Sequence, residues 1–136
     1  MERMIVKKLA RPEETRPFAK GRVELLHLGE GTVGRGVFEA GWKWSECVRP
    51  IAGTETCEAS HLGLVESGRM HVRMDDGQEA DVGPGDIVMI PPGHDAWTLG
   101  DEPCVILDFA GMGHYAERTV MERTQANLPP SQPNAF

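Results

Sequence analysis

The sequence predicts an all-β protein, a sandwich or barrel of short strands, and three observations carry that expectation. Glycine and proline are frequent, 16 Gly and 10 Pro in 136 residues, so the chain is punctuated too often for a helix bundle. Period-2 alternation recurs, most strictly in Arg69-Met70-His71-Val72-Arg73-Met74, where Met70, Val72 and Met74 share one face. Turn signals then return at the 8–12-residue spacing of sandwiches and barrels. A length of 136 residues suits one domain, and 40% hydrophobic residues suffice for a packed core.

Taken in order, residues 1–20 show little periodicity and read as an N-terminal arm with room for one edge strand. Strands are expected from Arg22 to Leu28, from Thr32 to Glu39, and from Trp42 to Val48, the last closed by Arg49-Pro50 because proline cannot donate to a ladder. After Arg69–Met74, Asp75-Asp76-Gly77 supplies hairpin chemistry and Glu79–Val82 returns. Gly83-Pro84-Gly85-Asp86 turns into Ile87–Ile90, Pro91-Pro92-Gly93 interrupts, and Ala96–Leu99 and Cys104–Phe109 complete nine or ten strands. The strand-rich body spans 21–110 and a tail spans 111–136, with one short helix expected at His114–Glu117 and a frayed or extended end over Thr124–Phe136.

Charge narrows the partners. The net charge is −7, yet residues 1–22 carry seven basic and three acidic side chains, so the remainder is strongly acidic. An acidic body repels phosphate backbones, which argues against nucleic-acid binding. The basic start, Lys7-Lys8-Leu9-Ala10-Arg11, reads as a solvated arm. Apolar runs are too short for a membrane span or a signal-peptide core, and three cysteines without a tight framework fit a reducing cytoplasm.

The chemistry-bearing residues gather in one segment and one turn. In an extended Gly53–His61, Glu55 and Cys57 project from the same face, roughly 6.6 Å apart. His61 has the same parity but lies about 13 Å further along a straight strand, too far to share an ion, so the chain must bend at Glu58-Ala59-Ser60. His94, directly after Pro91-Pro92-Gly93, is the fourth candidate. Carboxylate, thiolate and imidazole are ordinary zinc ligands, and softer sites also hold iron or copper. His71, between two arginines, reads as a solvated surface histidine, and His27 as a core or rim residue. Trp42, Trp44 and Trp97 are core filler or the lining of an apolar pocket. No nucleophile elbow, phosphate loop or dinucleotide fingerprint is present.

At these residues the chain resembles the cupin superfamily of double-stranded β-helix barrels, over about residues 22–110. The second cupin motif, glycine, five residues, Pro-x-Gly, two residues, then histidine, is matched by Gly85 through Gly93, but Ala96 stands in the histidine slot and His94 lies two residues early. Counting back from Gly68, His61 stands where the first motif has glutamate, and the His-x-His pair falls on Glu55 and Cys57. Gly41-Trp42-Lys43-Trp44-Ser45-Glu46 is similar to a group of small bacterial single-domain cupins, and similar stretches occur beside nucleotide-cyclase modules. The resemblance implies a jelly-roll barrel, a homodimer, and a metal centre that the substitutions shift toward zinc or copper. The expected ligands are Cys57, His61 and His94, with Glu55 as fourth ligand or general base. The expected function is a cytoplasmic metal-binding barrel that binds or transforms a small molecule, with a non-enzymatic sensing module as the alternative.

Overall fold

The computed structural model describes residues 3–117. Nine strands and two helical turns follow in the order β1 (Glu14–Phe18), β2 (Gly21–Leu28), β3 (Gly31–Phe38), α1 (Trp44–Cys47), α2 (Arg49–Ala52), β4 (His61–Ser67), β5 (Arg69–Met74), β6 (Glu79–Val82), β7 (Ile87–Ile90), β8 (His94–Leu99) and β9 (Cys104–Asp108). All pairings are antiparallel. One sheet runs β1-β2-β3-β9-β4-β7 and the other β6-β5-β8. The two sheets make a jelly-roll, as expected from the turn skeleton.

Alternation decides which side chains fill it. On β8 the pattern is buried at His94, Ala96 and Thr98 and half-buried between them. On β4, His61, Gly63 and Val65 point inward. The core joins Val23, Leu25, Phe38, Val65, Met70, Val72 and Ile106 from both sheets with Trp42 and Trp44 from the segment between β3 and β4. Gly68, at the β4–β5 turn, has φ +72°, and a Cβ there would sit 2.1 Å from the Pro103 carbonyl oxygen, so the turn accepts only glycine.

Three expectations are corrected. The stretch from Trp42 to Val48 is not a strand: Trp44–Cys47 forms a helical turn and Arg49–Ala52 a second. Strand parity would put Glu46 on the same face as the two tryptophans, whereas helical spacing buries Trp44, Cys47 and Val48 and leaves Glu46 in solvent. Pro50 does not close a strand but sits in the first turn of α2, where a missing N–H costs nothing. His27 is exposed rather than core or rim, its ring against Thr32 Oγ1 at 3.3 Å. His114–Glu117 forms turns rather than a helix.

The packed unit also extends past 21–110. Phe18 of the arm packs against the core, as do Met112 and Tyr115 beyond it. Arg16 ties the two ends together, donating to the Tyr115 carbonyl at 2.9 Å and pairing with Glu117 at 3.1 Å. The expectation for Thr124–Phe136 lies outside the described residues.

Candidate metal centre

Three ligand-type side chains meet inside the jelly-roll, each placed by backbone pairing. Cys57 forms an isolated bridge with His94: its N–H donates to the His94 carbonyl at 2.8 Å, and Gly93 N–H donates to the Cys57 carbonyl at 2.8 Å. That bridge sets the thiol beside the imidazole. His61 opens β4 in register with Ile90, so it faces inward a few residues before His94. The ligand atoms of Cys57, His61 and His94 lie within 4.8 Å of one another, and all three residues are buried. Cys57 Sγ is 3.7 Å from His61 Nε2.

Each imidazole is oriented by its other nitrogen. His94 Nδ1 donates to the Pro91 carbonyl at 2.8 Å, and His61 Nδ1 lies 2.5 Å from Asp108 Oδ2. Both rings are therefore held with Nε2 toward the centre, the outer-shell arrangement that fixes a histidine ligand's tautomer. Asp108 is itself anchored, its Oδ1 accepting from Ala110 N–H and Gly111 N–H at 2.8 Å each. Gly111 passes so close that a Cβ would meet His61 Nδ1 and the Ser60 carbonyl at 2.4 Å. The loop after β9 thus clamps the His61–Asp108 pair.

The electrostatics follow from this packing. Burial pushes the Cys57 thiol up, but hydrogen bonds to His61 and His94 and their charge outweigh it and lower it from 9.0 to about 6. Burial pulls His61 down, but Asp108 and Cys57 overcome it and raise it from 6.5 to about 9. Asp108 is likewise lowered by His61 and the two backbone amides in spite of burial. Both directions favour a thiolate at Cys57 and an imidazolium at His61, steadied by the Asp108 carboxylate.

The donor set fits a metal ion. A thiolate and two neutral imidazoles are ordinary ligands of a borderline-soft cation, and three protein ligands leave one tetrahedral position open. Glu55 is not brought to this site. Its side chain is 88% exposed and pairs with Arg49 at 2.6 Å, because Thr54–Thr56 is a bend, where strand parity does not apply. Trp42 and Trp44 line the interior, each 2% exposed. Trp97 does not: it lies on the outer face of β8, stacked on His71 at 4.7 Å under the Lys43 and Arg73 cations. His71, on the polar face as expected, lies between Asp81 at 2.5 Å and Glu79 at 2.8 Å.

Asp108 is the functional residue that sequence reasoning missed. Its signal was parity, since an aspartate on the same face as Cys104 and Ile106 is an acid on a core position. Tyr115, 5.8 Å from the His61 ring, was missed for want of any periodicity in its segment. Beside the centre lies a cavity of about 40 Å³, walled by Phe38, Trp42, Trp44, Tyr115, His61 and His94 among others.

Comparison with known proteins agrees with this architecture. Residues 52–110 match the family model described as "Cupin domain". A structural-genomics protein of unknown function from Rhizobium leguminosarum bv. viciae is 22% identical, with 81% of this chain and 98% of that chain covered at a TM-score of 0.59. The polyketide cyclase RemF from Streptomyces resistomycificus is 18% identical, with 80% of each chain covered and a TM-score of 0.58. A cupin-like protein from Thermotoga maritima is 19% identical, with 79% and 84% covered and a TM-score of 0.52. At these identities the likeness shows the fold alone. No curated protein sequence matches the chain.

Proposed function

We propose that this chain, which carries a cupin-superfamily domain, holds a divalent metal ion at Cys57, His61 and His94 and binds or transforms a small molecule in the barrel interior beside it. The observation that supports this reading is the convergence of three buried ligand atoms within 4.8 Å, both imidazoles presenting Nε2. Zinc fits a thiolate–bis-imidazole set first, with iron or copper next. Such an ion supplies Lewis acidity and an acidified water when bound. The chain's own residues orient it: Asp108 and the Pro91 carbonyl hold the two rings, and Phe38, Trp42, Trp44 and Tyr115 wall the adjoining cavity.

Metal analysis on protein purified without nickel resin tests this. The wild type is expected to carry close to one ion per chain, and Cys57→Ala and His61→Ala each to lose most of it. Unchanged metal content in both variants would overturn the site assignment.

A second reading, a non-enzymatic sensing module, is favoured by one observation. Among the described residues lining the cavity, the carboxylate is Asp108, already engaged by His61 and two backbone amides, and Glu55 is too distant in solvent to act as general base. A thermal-shift screen separates the readings: a sensor returns its stabilising ligand unaltered, an enzyme does not.

The partners and compartment belong to the same proposal. Cys47, Cys57 and Cys104 are all free and buried, which supports a reducing cytoplasm. No helix among the described residues is long and apolar enough to cross a membrane. The acidic body supports a lack of nucleic-acid partners. A homodimer is supported by exposed apolar side chains on one sheet face, Leu62, Ile87, Met89 and Phe109. Sedimentation equilibrium is expected to give twice the 14.9 kDa chain mass, and a value of one chain mass counts against the dimer.

A further inference from the structure

We infer that the groove between the sheet-edge strands β6 and β7 is a ligand site for a neutral hydrocarbon group of about ten carbons, adjoining the metal centre. The inference deepens the reading of that centre, and rests on it only for the ion beside the bound group.

The first observation is an interior that the two sheets leave open. β6 ends one sheet and β7 the other. Ala80 and Val82 pair with Val72 and Met70, so they share the inward face of their sheet. Val88 and Ile90 pair with Gly63 and His61, which turns them inward from the other sheet. Yet Ala80 is exposed, and Met74, Val88 and Ile90 are only half-buried. Inward positions are normally the filled ones. Between them lies a second cavity, of about 270 Å³, with Val72, Met74, Ala80 and Val82 on one side and Val88 and Ile90 on the other.

The second observation is position. Met74 stands directly opposite His94 in the β5–β8 ladder, and Ile90 directly opposite His61 in the β4–β7 ladder. Side chains so paired have Cβ atoms about 4.5–5.5 Å apart. Val88 and Ile90 also wall the smaller cavity beside the metal centre. The groove therefore approaches the ligand cluster from both sheets, and a group lodged in it lies against the neighbours of both imidazoles.

The third is chemistry. Gln78 and Glu79, polar side chains among the described residues lining the groove, are engaged elsewhere. Gln78 Nε2 donates to Asp76 Oδ2 at 2.7 Å, and Glu79 Oε1 lies 2.8 Å from His71 Nε2. A sugar or a carboxylate would leave water for a wall with no uncommitted side-chain partner, which is costly, whereas a hydrocarbon gains by the same transfer. Size sets the rest. An apolar cavity of roughly 150 Å³ holds one benzene, so about 270 Å³ takes two fused rings or a chain of similar volume. A protein helix, about 10 Å across with its side chains, does not fit.

The test titrates the full chain, loaded with cobalt(II) or with zinc, with naphthalene, and reads the methionine methyl signals by NMR. Met74 and Met89 line the groove, and Met4, 91% exposed, is the internal reference. Met74→Leu and Met89→Leu assign the two signals. Naphthalene is expected to shift both saturably through its ring current and to leave Met4 in place, and glucose to shift neither. Bound naphthalene protons are expected to broaden in the cobalt-loaded chain relative to the zinc-loaded one. Ala80→Phe, which fills the groove from an exposed position, is expected to weaken naphthalene binding at least about tenfold with metal content unchanged. Fixed Met74 and Met89 signals, glucose binding as tight as naphthalene, or unchanged affinity in Ala80→Phe overturns the proposal. Equal linewidths with the two ions overturn the placement beside the imidazoles. A molar mass that falls as naphthalene saturates also overturns it, because the groove is then the seat of a second copy. If Ala80→Phe does not fold, the wild-type titration alone decides. A chain that takes up neither ion fails the metal assignment, while the methyl titration still decides the groove. A loaded chain whose methyl signals stay fixed fails this inference alone.

Discussion

Replacing Asp108 by alanine is expected to lower stability by about 3–5 kcal/mol, the cost of breaking a buried charge pair by removing one partner. In a chain of this length that is a fall in Tm of roughly 10–20 °C, read by calorimetry. Asp108 is 1% exposed and contacts three donors, His61 Nδ1 and the amides of Ala110 and Gly111, so its loss strands all three. Asp108→Asn separates packing from chemistry. If its oxygen keeps the two loop amides, its NH₂ group faces His61 Nδ1, and the imidazole must move its proton to Nε2, the nitrogen that points at the cluster. Stability then falls less than in Asp108→Ala, while metal affinity falls by about 10–100-fold, the usual loss when an outer-shell partner of a ligand is changed. Equal metal affinity in Asp108→Asn and wild type would show that the carboxylate does not set the His61 tautomer.

In the metal-free protein, the Cys57 thiolate is expected to persist down to about pH 6, about a thousandfold more acidic than an ordinary thiol. Its ultraviolet thiolate absorbance should titrate there, and an absorbance that appears only near pH 9 would contradict the arrangement. The consequence for stability depends on both partners. The lowered Cys57 contributes stability that is full above 9.0 and lost as pH falls through about 6. The raised His61 contributes stability that is full below 6.5 and lost as pH rises through about 9. Between pH 6.5 and 9 the two slopes oppose. Folded and unfolded chains each hold one proton on the pair, on nitrogen when folded and on sulfur when unfolded. The pair therefore adds almost no pH dependence to stability across that window, although its ionisation state changes completely on folding. Denaturant unfolding of wild type and Cys57→Ser across pH 6.5–9 checks this. Cys57→Ser removes the compensating slope, so its stability should fall as pH rises above 6.5, up to the point where His61, still raised by Asp108 but no longer by the Cys57 thiolate, loses its proton.

Much of the fold was legible because strand parity and turn chemistry are local signals. Arg69–Met74, the glycine turns and the return at Cys104 all follow from residues a few positions apart. The stretch after Gly41 was not, because Trp42 and Trp44 satisfy a strand period and Trp44, Cys47 and Val48 a helical one, and burial of the second set wins. For the site, distance alone required the chain to bring Cys57 and His61 together, and it does, with Cys57 Sγ 3.7 Å from His61 Nε2, although the bends of this segment fall at Thr54–Thr56 rather than at the expected Glu58-Ala59-Ser60. Glu55 misled because parity was extended through residues that do not form a strand. His94, displaced two positions from the motif, still faces inward with Ala96, since a shift of two on a strand preserves the face. Asp108 needed knowledge of which face of β9 is inside, and that depends on pairing with β3 and β4.

The bridge between Cys57 and His94 also bears on how the protein is put together. Cys57 and His61 are four residues apart, so they can meet in a nearly unstructured chain. His61 and Asp108 are separated by 47 positions, and His94 joins only when β8 has docked. Contacts at such separations form late, after the loop-closure entropy of both sheets has been overcome. The local thiol–imidazole pair is therefore available during synthesis, while its long-range partners arrive at the end. A cation met early by this pair would gain its third ligand, and the carboxylate behind His61, only as the jelly-roll closes.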